Sequence, residues 1–120
     1  MIAVIFEVEP APGQLDRYFD IAAELMPFLH GIDGFISIER FQSVTQERRI
    51  LSLSFWRNEA AIAQWRQLEQ HRLAQSEGRS GVFRNYRLRV AEVTRDYGLS
   101  ERSQAPADSV QHHRVEGSEK

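Results

Sequence analysis

The chain has 120 residues, which fits one domain, and its 42% hydrophobic and 27% charged residues are typical of a globular protein. It contains no cysteine, which excludes disulfides, thiolate zinc sites and cysteine nucleophiles. The formal net charge of −2 is unevenly distributed, because residues 1–47 carry eight acids and two Arg, whereas residues 48–93 carry nine Arg and four Glu.

The first residues predict neither a leader nor a membrane anchor. Met1 runs directly into an apolar segment with no basic residues before it, and no apolar run approaches the ~20 residues of a membrane span. We therefore expect a cytoplasmic protein without a membrane partner. The arginine-rich half can attract an anion or nucleic acid, but its spread over two strands and a helix favours solvated faces or charge complementarity between subunits.

The chain opens with a predicted strand followed by a helix. Residues 2–9 alternate in a way that gives one fully apolar face, which predicts a strand that ends at Pro10. Residues 14–29 change to helical spacing, and Pro27 is expected to kink or end the last turn. The predicted apolar stripe of this helix consists of Leu15, Tyr18, Phe19, Ala22, Met26 and Leu29.

Two strands, a second helix and a fourth strand complete the pattern. Strands are predicted over residues 35–41 and 49–56, a helix over about 58–77 with Asn58 as its cap, and a strand over about 84–93. The order β-α-β-β-α-β predicts the α+β class, with a ferredoxin-like plait and antiparallel pairing. On the second strand, Ser37 and Glu39 are expected on the same side as Phe35 and Phe41.

The predicted strands offer apolar side chains on both faces of the sheet. Ile36 and Ile38 oppose Phe35 and Phe41, although a face open to water is normally polar. A domain of this size also buries only roughly 60–70% of its unfolded-chain surface. We therefore expect a homodimer in which two sheets pack face to face.

The composition changes after Gly98. Residues 99–120 have little apolar content and no periodicity, which predicts a disordered tail behind a domain of residues 1–98. His112 and His113 are adjacent on this tail and make a poor metal site, so no metal is predicted.

The segment from Leu51 to Tyr97 places two Trp, a His and an Arg around one strand–helix–strand corner, namely Trp56, Trp65, His71 and Arg79. This arrangement resembles the antibiotic biosynthesis monooxygenase family of dimeric α+β barrels. The resemblance implies a monooxygenase without a cofactor or metal, in which O₂ attacks a small aromatic or quinone-like substrate. Such chemistry needs a dry cavity, a group that takes a proton and a donor that stabilises an oxyanion.

A mostly apolar substrate pocket is expected between the second helix and the sheet. The resemblance implies that Trp56 and Trp65 line it, and Phe19 of the first helix is expected beside them. The alternative is that both Trp are core residues whose indole N–H groups are satisfied.

His71, Arg79 and Tyr86 are the predicted catalytic residues. His71 can act as a base, while Arg79 and Tyr86 can donate hydrogen bonds to a substrate oxygen. Six residues after Trp65 corresponds to about 120° on a straight helix, so His71 reaches the cavity only if the helix breaks near Gln67–Glu69. The family resemblance implies such a break, and we expect one here. Otherwise His71 lies on a solvent or subunit face, and Arg79 is an ordinary surface residue.

Two further functions stay open. The haem-degrading branch of the same superfamily has an axial His ten residues after the helical Trp and an Asn on the first strand. This chain has Gln75 and no such Asn, and Gln is a poor haem ligand, so haem binding or degradation is the second candidate. The third is a non-catalytic ligand-binding or stress-response dimer. Because the third strand lacks the aromatic pattern of RNA-binding plaits, no nucleic-acid partner is predicted.

Overall fold

Six elements follow one another in the predicted order. The structure, a computed structural model, describes residues 1–75 and 81–109, with the side chains of residues 70–75 left undescribed. The elements are β1 (Ile2–Pro10), α1 (Leu15–His30), β2 (Phe35–Gln42), β3 (Ile50–Trp56), α2 (Glu59–Gln75) and β4 (Phe83–Glu92).

The four strands form one antiparallel sheet in the order β2-β3-β1-β4, and both helices pack on the same face. This is the predicted ferredoxin-like α+β fold. The alternation in β1 and β3 decides which side chains meet the helices, because Val4 lies opposite Ser54 and Phe6 lies opposite Ser52 in the register.

Two apolar clusters hold the helices on the sheet, and Trp65 of α2 packs against both of them. The first joins the middle of α1 to one end of the sheet through Val8, Tyr18, Ile21, Leu25, Ile50 and Val82. The second joins the end of α1 and the start of α2 to the other end through Val4, Leu29, Trp56, Ala61 and Ile62.

The buried stripe of α1 differs from the predicted one. Its buried side chains are Tyr18, Ile21, Ala22, Leu25 and Leu29. Phe19 is 41% exposed, because it lies one residue, or about 100°, beyond Tyr18. The expected kink or stop at Pro27 was also wrong for the helix end, since α1 continues to His30. A proline in the last turn removes only one backbone donor.

The predicted faces of β2 need one correction. The register shifts between Phe35 and Ser37, so that Phe35 lies opposite Trp56 while Ser37 lies opposite Phe55. Phe35 therefore packs on the helix side, with its ring centroid 5.2 Å from that of Trp56. A bulge places residues on either side of it on opposite faces of the sheet.

The start of α2 is fixed by a cap and by a close contact. Asn58 Oδ1 accepts a hydrogen bond from the Ala61 N–H at 3.0 Å, as the predicted cap requires. Gly34, in the turn after α1, has a φ of +98° and lies so near that a Cβ there would be 2.9 Å from Ala61 Cβ. The helix is continuous from Glu59 to Gln75, so the predicted break near Gln67–Glu69 was wrong.

The face of the sheet turned away from the helices carries partly buried apolar side chains at its centre, including Ile5, Leu51, Leu53 and Phe55. Charged pairs such as Arg89 with Glu7, 3.3 Å apart, flank them. This pattern agrees with the requirement for a second sheet, but the homodimer stays a prediction.

Beyond β4, residues 96–109 are connected by local hydrogen bonds. Arg102 donates to the carbonyl oxygens of Gly98 and Ser109, and its guanidinium lies 5.3 Å from the centre of the Tyr97 ring. The disordered tail over 99–120 and the boundary after residue 98 stay predictions. Within the described part of the chain, no helix is both long and apolar enough to cross a membrane.

Candidate functional site

A cavity of about 100 Å³ lies between the two helices and the sheet. Its floor consists of two neighbouring rows of side chains that run across all four strands, as the strand register shows. One row is Arg40, Ser52, Phe6 and Leu88, and the other is Ile38, Ser54, Val4 and Val90.

Two serines at the centre of the floor leave this space open. Ser52 and Ser54 occupy helix-facing positions of β3 between the large side chains of Ile50 and Trp56, and both are buried. Ser54 Oγ also accepts a hydrogen bond from the Trp56 indole N–H at 2.8 Å. A branched apolar residue at either position would project into the cavity instead.

The roof comes from both helices. From α2, Ile62, Trp65, Arg66 and Glu69 line the cavity, and their spacing of three and four residues places them along one side of the helix. From α1, the lining residues are the buried stripe members Tyr18, Ile21, Ala22 and Leu25.

The cavity opens along β4. Leu88 and Val90 line it, yet they are 49% and 44% exposed although they lie on the helix side of the sheet. The two helices therefore leave this edge strand uncovered, and a ligand can enter there without displacing either helix.

Three polar side chains meet in this otherwise mostly apolar cavity: Tyr18 from α1, Arg40 from β2 and Glu69 from α2. Burial raises the pKa of Glu69, and the positive charge of Arg40 opposes this effect. Burial likewise raises the pKa of Tyr18, partly offset by a hydrogen bond and charge interaction with Arg40. The hydroxyl of Tyr18 therefore stays protonated at neutral pH and can donate.

Arg40 has a donor without a partner. Its guanidinium Nε is buried and makes no hydrogen bond within the described part of the chain. A buried donor left unpaired costs free energy, so such a group usually has an acceptor in the working protein. Arg40 and Glu69 both line the same cavity.

Arg40 and Glu69 were not among the site residues predicted from the sequence. Two patterns could have identified them. Arg40 is two residues beyond Ile38, hence on the same face of β2, and Glu69 is four residues beyond Trp65, hence on the same side of α2. A charged residue in such a position is either costly or functional.

The structure separates the three predicted substrate-binding residues. Trp65 lines the cavity. Trp56 is 0% exposed, has its indole N–H paired with Ser54 and is not a lining residue, which fits the core interpretation. Phe19 is also absent from the cavity wall and is partly exposed, with its ring centroid 5.6 Å from that of Tyr18.

Of the three predicted catalytic residues, the structure describes only the side chain of Tyr86. Tyr86 is 58% exposed on the helix side of β4, where its ring packs against those of Phe6 and Phe83, which both line the cavity. The backbone of His71 belongs to α2, but its side chain and the whole of Arg79 lie outside the described residues. Their chemical roles stay predictions. Among the described residues, no three His, Asp or Glu side chains are grouped so that they could hold a metal ion.

A plait with both helices on one sheet face and an apolar cavity beneath them defines a class of small α+β domains with the ferredoxin-like fold. Residues 1–77 match the family model described as antibiotic biosynthesis monooxygenase. The chain belongs to this family, as its sequence pattern suggested.

Known relatives give this assignment more detail. The chain is 50% identical over 94 residues to the jasmonate monooxygenase ABM of Pyricularia oryzae, a match that covers 78% of this chain and 44% of the relative. It therefore spans less than half the length of that relative.

Solved structures agree on the fold. Rv0793 from Mycobacterium tuberculosis has a TM-score of 0.67 at 16% identity, covering 81% of this chain and 98% of that one. SnoaB, a cofactor-independent oxygenase from Streptomyces nogalater, has a TM-score of 0.64 at 8% identity, covering 79% and 94%. At these identities the likeness concerns the fold alone.

Proposed function

We propose that the chain is a monooxygenase for a small, mostly apolar substrate that carries one acidic oxygen or an acidic C–H group. The observation that carries this proposal is the cavity, whose apolar walls enclose Tyr18, Arg40 and Glu69. Glu69 can take a proton from the substrate, and Arg40 with Tyr18 can hold the resulting oxyanion. The surrounding apolar side chains strengthen these interactions because they exclude water.

The first candidate substrate is an aromatic or quinone-like phenol, oxidised without a cofactor. In that reaction a CH₂ group and O₂ give a C=O group and water, so the substrate itself supplies all four electrons. The rings of Phe6, Trp65 and Phe83 on the cavity wall favour a flat aromatic substrate. The fold shared with SnoaB supports the cofactor-independent form of the reaction, since the same scaffold carries such chemistry there.

The second candidate is jasmonate or a similar cyclopentanone carboxylate. It is favoured by the 50% identity to a jasmonate monooxygenase over 94 residues and by the guanidinium of Arg40, which matches a carboxylate. Introducing one oxygen atom into an unactivated C–H bond requires two electrons from an added reductant. The two candidates therefore differ in whether a reductant is needed.

The roles of the sequence-predicted residues belong to the same proposal. Arg79 is proposed to act near the cavity as an oxyanion donor. His71 lies about 120° from Trp65 on the continuous α2, so in this proposal the role of the base passes to Glu69. Tyr86 is proposed to bind substrate at the open β4 edge, where its exposed ring contacts Phe6. Trp65 is proposed to contact the substrate directly, and Trp56 and Phe19 to shape the pocket from behind.

Oxygen consumption tests the proposal. Purified protein would be mixed with hydroquinones, anthrones or jasmonate, each with and without NADPH, and oxygen uptake and product mass would be recorded. Uptake with an anthrone alone supports the cofactor-independent form, and uptake with jasmonate only when NADPH is present supports the second candidate. No uptake in any mixture contradicts the oxygenase proposal.

A parallel haemin titration covers the haem alternative. A sharp Soret shift that disappears in His71→Ala would replace the oxygenase proposal with haem binding or degradation. Ligand binding without oxygen uptake and without a Soret shift would favour the non-catalytic ligand-binding dimer.

A further inference from the structure

Arg40 and Glu69 face the cavity from opposite layers of the domain. Arg40 lies on the edge strand β2 in the floor of the cavity, and Glu69 lies on α2 in the roof. The Nε donor of Arg40 is buried and has no acceptor among the described residues. Arg40 therefore combines an unused buried donor with a place on the wall of the space that a ligand would fill.

We propose that an oxyanion of a small apolar organic acid binds as the counterion of Arg40, and that Glu69 carries a proton in the bound state. Arg40 is then the residue that selects for acids over neutral molecules of the same shape. This inference rests on the proposed function for the class of ligand, and it adds the recognition step.

Charge balance in a poorly hydrated site is the physical reason. An ionised Glu69 together with a ligand anion would place two negative charges beside one guanidinium, and isolated buried charge is strongly unfavourable. Protonation of Glu69 restores a one-to-one balance. Burial already raises the pKa of Glu69 in the ligand-free protein, and a neighbouring ligand anion raises it further.

One other full charge lines the described part of the cavity wall, but it belongs to an exposed side chain whose charge solvent screens. Among the described lining residues, the other titratable or charged side chains are Tyr18 of α1 and the exposed Arg66 of α2. The strands β1, β3 and β4 contribute only apolar side chains and the hydroxyls of Ser52 and Ser54. The Tyr18 hydroxyl, which stays protonated, can give the ligand oxygen a second donor.

Two sources of the ligand oxygen are distinguished by where the proton originates. A carboxylate such as jasmonate arrives ionised at neutral pH, so Glu69 takes its proton from solvent. A phenol arrives neutral and transfers its own proton to Glu69, so the net uptake from solvent is zero. The bound state is the same in both cases.

Affinity is the first test, with quenching of tryptophan fluorescence as the readout because Trp65 lines the cavity. The probes are jasmonate and its neutral methyl ester. Arg40→Gln is expected to weaken jasmonate binding about 10- to 100-fold, the usual effect of a lost hydrogen bond to a charged group. Unchanged binding of the ester by Arg40→Gln would show that the cavity is still folded.

A charge-matched control separates local recognition from the field of the whole protein. Arg48→Gln removes one positive charge from the exposed β2–β3 loop and is expected to change jasmonate affinity by less than about threefold. Equal loss in Arg48→Gln and Arg40→Gln would overturn the proposal. So would equal affinity of wild-type protein for jasmonate and its ester, or millimolar jasmonate that fails to bind.

Proton counting is the second test. Calorimetry in phosphate and in Tris should show proton uptake on jasmonate binding that rises with pH toward one per ligand, and Glu69→Gln should abolish it. With 4-nitrophenol at pH 6, the wild-type protein should bind the yellow phenolate form, whereas Arg40→Gln should bind the colourless neutral phenol. Pronounced uptake that persists in Glu69→Gln, or colourless bound phenol in the wild type, contradicts the assignment.

Failure of this inference can be distinguished from failure of the proposed function. Arg40-dependent binding without oxygen uptake overturns the oxygenase proposal alone. Oxygen uptake that Arg40→Gln leaves unchanged overturns this inference alone.

Discussion

Substitution of Gly34 by alanine should displace the helix that forms half of the cavity roof. Gly34 lies in the turn between α1 and β2 with a φ of +98°, and its backbone touches the first turn of α2. A Cβ at this position would be 2.9 Å from Ala61 Cβ and 3.6 Å from Arg57 Cβ. The first of these contacts is closer than real Cβ atoms approach, so α2 or the turn has to move.

Two costs determine the size of the effect. A non-glycine residue with positive φ costs about 1–2 kcal/mol, and forcing a methyl group into a filled contact costs about 1–3 kcal/mol more. We therefore expect Gly34→Ala to lower the free energy of unfolding by about 3 kcal/mol. Because α2 carries Trp65 and Glu69, ligand affinity should fall with it.

Urea unfolding followed by tryptophan fluorescence measures this loss, and Gly13→Ala is the matched control. Gly13 also has a positive φ of +78°, but no atom lies within 4 Å of an added Cβ. Gly13→Ala should therefore lower the free energy of unfolding only by the cost of the positive φ, about 1–2 kcal/mol. In the Gly34→Ala background, Ala61→Gly should show a favourable coupling energy because it removes the atom in conflict.

The reasoning fails if Gly34→Ala costs no more than Gly13→Ala. It fails equally if the effects of Gly34→Ala and Ala61→Gly are additive, because the 2.9 Å contact with Ala61 would then carry no energy.

Three other predictions concern the cavity and the open sheet face. Burial raises the pKa of Glu69 above its ordinary 4.5, so above that pH the native state binds more protons than the unfolded state and stability falls as pH rises. Urea unfolding from pH 4.5 to 8 should therefore show the free energy of unfolding of Glu69→Gln increasing relative to that of the wild type. A pH-independent difference would contradict this. Ser54→Ala should cost about 1–3 kcal/mol because it leaves the buried Trp56 indole N–H without its acceptor, while Ser52→Ala should cost clearly less in the same assay; equal losses would refute the role of this bond. Sedimentation at micromolar concentration should show a dimer that Leu53→Arg on the open face dissociates, and a monomeric wild type would exclude the face-to-face pairing.

Much of the fold could be predicted because alternation and helical spacing act over several residues at once. The apolar face of β1 and the cap at Asn58 both follow from local chemistry. The bulge at the start of β2 was not predicted, because one extra residue reverses the face of Phe35 and the neighbouring Gly34 was assigned to the turn before the strand.

The continuity of α2 follows from its residues. No glycine or proline occurs between Glu59 and Gln75, and sharp breaks usually need one of these residues or a π-bulge. The expected break near Gln67 came from the family resemblance rather than from the residues, and the residues were the better guide.

The polar part of the site escaped sequence analysis because a charged residue in an alternating strand is normally assigned to water. Arg40 follows Ile38 by a step of two, which places it on the same face of β2, and its pairing with Ser52 shows that this part of the face borders a cavity. Two residues whose individual patterns look ordinary become a candidate site when the helix and the sheet bring them together.

The position of the serines connects stability with function in this domain. Ser52 stands where β3 would otherwise present a large apolar side chain to the helices, and filling such a space is normally stabilising by the area buried. Ser54 has the same orientation but also accepts the hydrogen bond of the Trp56 indole N–H. The same replacement at Ser52 would occupy the room beside Arg40 and bring apolar groups against a guanidinium donor that has no other acceptor among the described residues. A large apolar side chain here would stabilise the core but would block the space beside Arg40. The small serine side chains keep that space open.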